Sequence, residues 1–218
     1  MIHAIHALSV QYLDNPVIFH NRLPYYAERV YHNCGLVETD WEFTDGTLCK
    51  TCQPRLFEKL MYSGHKRCHR IKFQSVVTPD GWFASIYGWV SGERHDSFLL
   101  SSSGHLDKLP EFVPDDTPED IEAVIYSLYG DTAYPQSIHN FGGYKNPADG
   151  SVQAHWISQV SKVHEVVEWG FANILAQWSF LDFRIAMKIF QSPVAAFYIV
   201  AVILVNIWTC FHGNQTME

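Results

Sequence analysis

Hydrophobic and polar residues alternate along three early segments of the chain, a pattern typical of strands with one buried face. Trp41 and Phe43 begin the first segment, and we expect it to end at Asp45, where Gly46 follows. The other two segments cover 71–77 and 82–90 and flank the turn at 78–81. The pattern predicts a β-hairpin over 71–90, with the strand that carries Asp45 as its antiparallel neighbour.

Two later segments have the patterns of a buried strand and of a long helix. Residues 124–129 form a continuous apolar run that ends in Gly130-Asp131, which predicts a buried strand with Asp131 at its carboxyl end. From Val152 to about Leu181, apolar residues recur every three or four positions and predict one helix, with Glu168 at the border of its apolar face. Residues 1–40 predict one or two short helices.

An apolar run near the end of the chain allows two interpretations. Residues 194–205 are apolar throughout, with the hydroxyl of Tyr198 as the one polar group, and Asn206 ends that run. A transmembrane helix needs about 20 apolar residues, whereas a run of about 10–14 is more often a buried core helix. We expect a core helix, in which Asn206 is satisfied by hydrogen bonds. The alternative is a membrane anchor over 194–210.

Composition describes a packed intracellular protein. The 218 residues suit one sizeable domain, and 47% are hydrophobic while 17% are charged. The net charge of -8 argues against indiscriminate coating of nucleic acid but permits a local basic patch. An odd number of cysteines, five, is typical of reduced thiols. No secretory signal opens the chain, so we do not expect secretion.

Four carboxylates lie within or at the ends of predicted strands and helices, and the fold could bring their side chains together in one site. Asp45 lies in the first strand, Asp131 follows the buried strand, Glu168 borders the helix face, and Asp96 precedes an apolar run at an expected helix N-terminus. Carboxylates gathered at one sheet edge repel each other unless cations neutralise them. Oxygen ligands suit Mg²⁺ or Mn²⁺, and two such ions serve phosphoryl transfer.

A zinc site is the competing metal hypothesis. Cys49, Cys52, His65 and His69 have the spacing of a two-Cys, two-His zinc finger. That finger needs a helix up to its histidines, and Gly64 directly before His65 disfavours one. The oxygen-ligand hypothesis is therefore the stronger of the two.

Several motifs, taken together and in order, resemble the Harbinger-type (PIF/Harbinger) DDE transposases, also called the DDE superfamily endonuclease domain. They are Asp45-Gly46-Thr47, the stretch 64–74, the stretch 92–97, the stretch 130–135, Val167-Glu168-Trp169, and the closing segment 198–213. The family usually has Arg where this chain has His164, four residues before the Glu, and it carries an upstream helix-turn-helix region. We therefore expect a fragment, or a decayed or domesticated copy.

The resemblance implies an α/β, ribonuclease-H-like fold. Its mixed sheet would have three antiparallel strands first, then a strand added parallel, and helices would flank it. A short helical remnant would cover 1–40 and the endonuclease domain 41–218.

The resemblance also implies a function and its residues. The function is divalent-metal-dependent DNA cleavage and strand transfer in the nucleus, with two Mg²⁺ or Mn²⁺ ions. A separate DNA-binding protein or a missing N-terminal domain would recognise the transposon ends. The alternative is a catalytically silent DNA- or protein-binding descendant. The implied catalytic residues are Asp45, Asp131 and Glu168, the metal ligands are these three and Asp96, and the DNA-binding residues are Lys66, Arg67, Arg70 and Lys72.

Overall fold

A computed structural model of the chain describes residues 2–9, 13, 15–34, 38–64, 66–109, 125–182 and 187–213. Its centre is a mixed sheet whose long strands run in the order β4-β3-β1-β5-β6, with the short β2 paired to the start of β3. The strands are β1 (Asp40–Lys50), β2 (Tyr62–Ser63), β3 (Cys68–Val77), β4 (Phe83–Ser91), β5 (Ser127–Gly130) and β6 (Asn140–Gly142).

The predicted strand arrangement is confirmed. Strands β3 and β4 form the hairpin, and β3 pairs antiparallel with β1. Strand β5 is buried throughout and runs parallel to β1, with β6 parallel beside it. This is the mixed α/β sheet expected for a ribonuclease-H-like fold.

The predicted end of β1 is wrong. The strand continues through Asp45 and Gly46 to Lys50, because its pairing with β3 extends to the pair Lys50 and Arg70. Asp45 therefore lies in the middle of a central strand and not at its end. The Asp-Gly pair is usually a turn signal, but here its pairing with Ser75 and Gln74 of β3 keeps it extended.

Helices cover both faces of the sheet. They are α1 (Ile2–Ser9), α2 (Leu23–Cys34), α3 (Glu58–Met61), α4 (Asp96–Ser103), α5 (His105–Lys108), α6 (Val152–Gln177) and α7 (Val194–His212), with 3-10 turns at Pro16–Arg22 and Ser179–Asp182. The long predicted helix is α6, which begins after the N-cap Ser151 and ends four residues before the predicted end at Leu181. The short helices expected within 1–40 are also present.

The sheet separates two hydrophobic cores. On one face α6 and α7 pack through Val167 and Tyr198 against Phe43 and Phe73, and the rings of Phe73 and Tyr198 stack with centroids 4.5 Å apart. On the other face Tyr26 of α2 stacks on Trp41, in a core shared with α4 and β5. Since α2 contributes fully buried side chains to this core, α2 packs onto the sheet, whereas α1 packs against α7.

Helix α7 packs within the domain, as predicted. Asn206 is 8% exposed, and its side-chain amide makes two 2.9 Å hydrogen bonds to the backbone of Phe83, accepting from the N–H and donating to the carbonyl. The prediction of a core helix with a hydrogen-bonded Asn206 is confirmed. Among the described residues, α7 is also the one helix whose length and composition would allow a membrane span, and 56% of its most apolar window is buried.

Asp40, at the start of β1, gives a prediction about stability and pH. Burial raises its pKa to about 6, partly offset by the Ser127 hydroxyl, which donates to Oδ1 at 2.5 Å. A carboxyl whose pKa is raised on folding stabilises the folded state below its unfolded pKa, and that contribution is lost as pH rises through the folded value. We expect Asp40→Asn to raise the free energy of unfolding at pH 7.5 by on the order of 2–3 kcal/mol.

Urea unfolding of the wild type and of the Asp40→Asn variant, at pH 7.5 and at pH 4.5, measures this effect. The gain of the Asn variant should shrink at the lower pH, because Asp40 is then protonated in the folded protein. A gain of equal size at both pH values would contradict the assignment. Glu38→Gln is the matched control, since Glu38 is exposed beside the same strand.

Candidate active site

Asp45 projects from the central strand toward α6. Successive residues of a strand point to opposite faces, so Asp45 shares a face with Phe43, which packs on α6. His164 of α6 lies at this point, with Nε2 3.2 Å from the carbonyl oxygen of Thr44. The backbone N–H of Gly46 donates to Asp45 Oδ1 at 2.7 Å. The carboxylate is thus partly enclosed between a strand and a helix.

The surroundings of Asp45 disfavour its charged form, so binding of a proton or a cation to this carboxylate is favoured. Burial raises its pKa to about 6, and the negative charges of Asp131 and Asp96 raise it further. His164 and the Gly46 N–H act in the opposite direction. The prediction that one of the acids has a raised pKa is confirmed, with desolvation as the larger cause and repulsion between carboxylates as the smaller.

Asp131 lies beside Asp45, as predicted. Thr44 of β1 pairs with Gly130 of β5, and each of these residues directly precedes one of the two acids on neighbouring parallel strands. The Asp131 side chain is exposed, and its Oδ1 accepts from the backbone N–H of Ala133 at 2.8 Å. This turn holds the carboxylate at the carboxyl end of β5.

Glu168 lies on α6, one helical turn after His164 and therefore on the same side of the helix. Its side chain is exposed, whereas the adjacent Val167 is fully buried against the sheet. Within the described ranges, no three Asp, Glu, His or Cys side chains converge closely enough to hold a metal ion. The predicted convergence of all the acids in one pocket is therefore not seen among the described residues, and Glu168 is exposed to solvent.

Asp96 lies on the opposite face of the sheet from Asp45. It is the first residue of α4, as predicted, and its carboxylate approaches β1 where Gly46 has no side chain. A Cβ at Gly46 would stand 2.1 Å from Asp96 Oδ1, so this packing requires glycine. Lys72 Nζ contacts the same Oδ1 at 2.7 Å. The direct partner of Asp96 is therefore a lysine, while the Asp96 charge also acts on Asp45, and its place beside the other acids at a metal site stays a prediction.

The predicted basic cluster is split between surface and interior. Lys66 and Arg67 are exposed, whereas Arg70 is 6% and Lys72 8% exposed. Arg70 donates to the sulfur of Cys68, and Lys72 is held by Asp96 and by the Arg94 carbonyl at 3.3 Å. Both side chains are mostly buried and already paired, but Lys72 lines the same open groove as Lys66, so DNA binding by Arg70 and Lys72 stays a prediction.

An exposed cation that the sequence did not indicate joins Lys66 on this side of the molecule. A groove of about 440 Å³ runs between β2 and the segment after β4, and its lining includes Lys66, Arg94 and His95. Arg94 is exposed, and its guanidinium lies over the ring of Phe98 at 4.8 Å. The sequence placed Arg94 in the motif 92–97 but assigned it no role.

The zinc-finger hypothesis is not supported. Cys49 is 5% exposed within the core, where its Sγ lies 3.8 Å from the Leu181 carbonyl oxygen, and burial raises the pKa of its thiol to about 11. His69 Nε2 lies 3.5 Å from a carboxylate oxygen of Glu58. The fourth candidate, His65, lies outside the described residues.

His164 is the residue at this site that sequence reasoning did not assign. The only signal was its place one turn before Glu168, where the resembled family usually has Arg. The structure puts its ring edge-on to Tyr129, with centroids 5.5 Å apart, and in hydrogen-bonding distance of β1. It thereby connects α6 to the strand that carries Asp45.

Comparison with known proteins agrees with this arrangement. The model of one protein family, described as the DDE superfamily endonuclease, matches residues 44–206. The matched segment begins just before Asp45 and includes Asp96, Asp131 and Glu168. No curated protein and no solved structure matches the chain.

Proposed function

Because the chain belongs to the DDE superfamily endonuclease family, we propose that it is the divalent-metal-dependent DNA cleavage and strand-transfer domain of a Harbinger-like transposase. Asp45, Asp131 and Glu168 are the proposed catalytic residues. The proposed site of action is the nucleus. A separate DNA-binding protein, or a domain outside this sequence, would recognise the transposon ends.

The observation that supports this proposal most is the pairing of Asp45 with Asp131. Two carboxylates follow paired residues on neighbouring parallel strands, and one of them is largely buried with a pKa of about 6. Desolvation and repulsion both disfavour its charged form, and a bound divalent cation would remove both penalties. The basic neighbour of Asp45 is His164, whereas Asp96 is paired directly with a lysine.

These residues fit a magnesium or manganese ion. Mg²⁺ commonly takes one or two protein carboxylates and completes its shell with water and substrate phosphate. Asp45 and Asp131 would hold such an ion, and Glu168 would approach it through its longer side chain. When bound, the metal supplies a lowered pKa for an attacking water or 3′-hydroxyl and stabilises the leaving oxygen. His164, which holds α6 against β1, fixes how near Glu168 comes.

The basic side chains that would bind the DNA backbone are the exposed ones. Lys66 and Arg67 precede β3, and Arg94 lines the groove beside them. Such contacts to phosphates provide affinity and position but carry no information on base sequence. The chain alone would therefore bind DNA with little sequence preference, which agrees with end recognition by another protein.

Plasmid nicking tests the proposal. We expect the protein to convert supercoiled plasmid to open circles when Mg²⁺ or Mn²⁺ is present and to stop when EDTA is added. In parallel, Mn²⁺ should raise the melting temperature, because an ion that binds only the folded state stabilises it by mass action. Metal-independent nicking, or neither nicking nor a thermal shift, would contradict the proposal.

A catalytically silent descendant is the second candidate function. The exposed Glu168, which does not join Asp45 and Asp131 in this structure, is the observation that favours it. Such a protein would bind DNA and shift its melting temperature with Mn²⁺ but leave plasmid intact. The two assays together thus separate the two candidates.

A further inference from the structure

The largest group of exposed aromatic side chains among the described residues lies away from the acids, at the β4 edge of the sheet. Phe57 precedes α3, Trp89 lies in β4 and Phe190 lies in the turn before α7; they are 62%, 43% and 57% exposed. Phe190 contacts both of the others, with ring centroids 6.1 Å from Phe57 and 6.4 Å from Trp89. We refer to these three side chains as the aromatic platform.

The aromatic platform borders two connected grooves. One, of about 490 Å³, lies between β4 and the start of α7 and is lined by Trp89, Phe190 and Pro193. The other, of about 540 Å³, lies on the far side of Phe190 and is lined by Pro54, Leu56 and Lys188. Leu56 adds to the apolar surface at 66% exposure. Contiguous exposed apolar surface of this kind marks an interaction site.

The charged side chains near the aromatic platform indicate what kind of molecule it would bind. Arg55 and Lys188 line the second groove, Lys59 follows Phe57 by two residues in α3, and all three are exposed. The nearby acid, Glu58, accepts a hydrogen bond from Gln53 at 2.8 Å and lies 3.5 Å from His69, so one negative charge stands beside three positive ones. A positively charged rim on a chain of net charge -8 is complementary to a polyanion, not to an ordinary apolar protein surface.

We propose that the aromatic platform binds unpaired nucleotides of a DNA strand, with bases against Phe57, Trp89 and Phe190 and phosphates at Arg55, Lys59 and Lys188. Aromatic side chains inside a basic groove are the arrangement by which proteins bind single strands without sequence preference. Duplex DNA does not suit this surface, because its bases are stacked on one another. The inference rests on the proposed action on DNA.

The position of the platform suits a strand that also reaches the acids. Trp89 lies two strands from β1 and about three residues along from the position of β4 aligned with Asp45. Strand spacing then puts the two positions on the order of 14 Å apart. Cleavage at Asp45 and Asp131 frees a strand end, and the platform would hold the unpaired nucleotides beside it.

The test is the binding of fluorescein-labelled oligothymidine, followed by anisotropy in EDTA. Without metal, the result does not depend on cleavage, so failure of this inference and failure of the proposed nuclease activity are separate outcomes. Phe190→Leu keeps an apolar side chain but removes the aromatic face. We expect it to weaken binding about fivefold to tenfold, and Trp89→Leu likewise, since loss of one stacked base costs about this much.

Matched variants control for general effects. Phe211→Leu changes a ring that is 79% exposed at the other end of α7, and it should leave the affinity unchanged. Lys188→Gln should weaken binding and reduce the slope of log affinity against log salt by about 0.7, whereas Lys145→Gln, beyond β6 at the opposite sheet edge, should change neither. Circular dichroism melts establish that each variant is folded.

Three results would overturn the inference. The first is wild-type protein that does not bind oligothymidine, and the second is Phe190→Leu that binds as the wild type does. The third is an equal loss of affinity for oligothymidine and for a duplex of the same length, which would assign Phe190 to duplex binding. If the protein gives any of these results but still nicks plasmid, the proposed nuclease function is retained and only the role of the aromatic platform is rejected.

Discussion

Asp131→Asn is expected to abolish metal-dependent plasmid nicking, with a loss of at least about a thousandfold in rate. The substitution removes one negative charge from the pair of carboxylates that would hold the cation and changes the side-chain volume very little. An Asn oxygen at this position can still accept the Ala133 N–H, so the turn after β5 keeps its hydrogen bond. The fold should therefore remain intact while the site loses its ligand charge.

Two measurements separate this effect from unfolding and from inactivity of the wild type. The melting temperature without metal should be within a degree or two of the wild type, and the thermal shift caused by Mn²⁺ should disappear. Asp107→Asn on α5 is the control, because Asp107 is an exposed acid in a helix on the other face of the sheet. An Asp131→Asn variant that nicks plasmid at the wild-type rate would rule out Asp131 as a catalytic residue.

Asn206→Leu is expected to destabilise the protein by roughly 2–5 kcal/mol. Leucine has a similar size, but it leaves the backbone N–H and carbonyl of Phe83 without the two hydrogen bonds that Asn206 now makes. Phe83 is 1% exposed, so water cannot replace them. Because domains are stable by only about 5–15 kcal/mol, this loss would be a large fraction of the total.

Urea unfolding at constant pH measures the effect of Asn206→Leu. Asn33→Leu is the matched control, since Asn33 is exposed and its side chain bonds only to Arg29 of its own helix. The control should change the free energy of unfolding by less than about 0.5 kcal/mol. If Asn206→Leu lowers the free energy of unfolding by less than about 1 kcal/mol, the backbone N–H and carbonyl of Phe83 in β4 must find other hydrogen-bond partners.

Much of the fold could be predicted from hydrophobic periodicity. The hairpin of β3 and β4, the buried β5 and the long α6 all follow from alternation or from a helical period, because each has one face or both faces in a core. The length of β1 could not be predicted in this way. Asp45-Gly46 has the local chemistry of a turn, and only the pairing of these two residues with β3 keeps them extended.

The candidate site was predictable in part. Placing Asp45 and Asp131 on adjacent strands required only the resemblance and the expectation of a mixed sheet, since neighbouring strands bring short side chains together. The environments of Asp96 and Lys72 were not predictable. Their salt bridge joins α4 to β3, and it forms only because α4 packs closely against the sheet at Gly46, which has no side chain. The burial of Arg70 likewise depends on tertiary packing, which a run of basic residues does not indicate.

The sequence alone thus determined the order and type of the main elements, because each one carries its burial pattern in its own residues. It also determined which acids are candidates, because the motifs that contain them are local. The tertiary structure decided which other side chains are neighbours: Asp45 with His164, Asp96 with Lys72, and Phe57 with Phe190. Those pairs join residues from different elements, and their contact depends on how helices and strands pack, which no local pattern records.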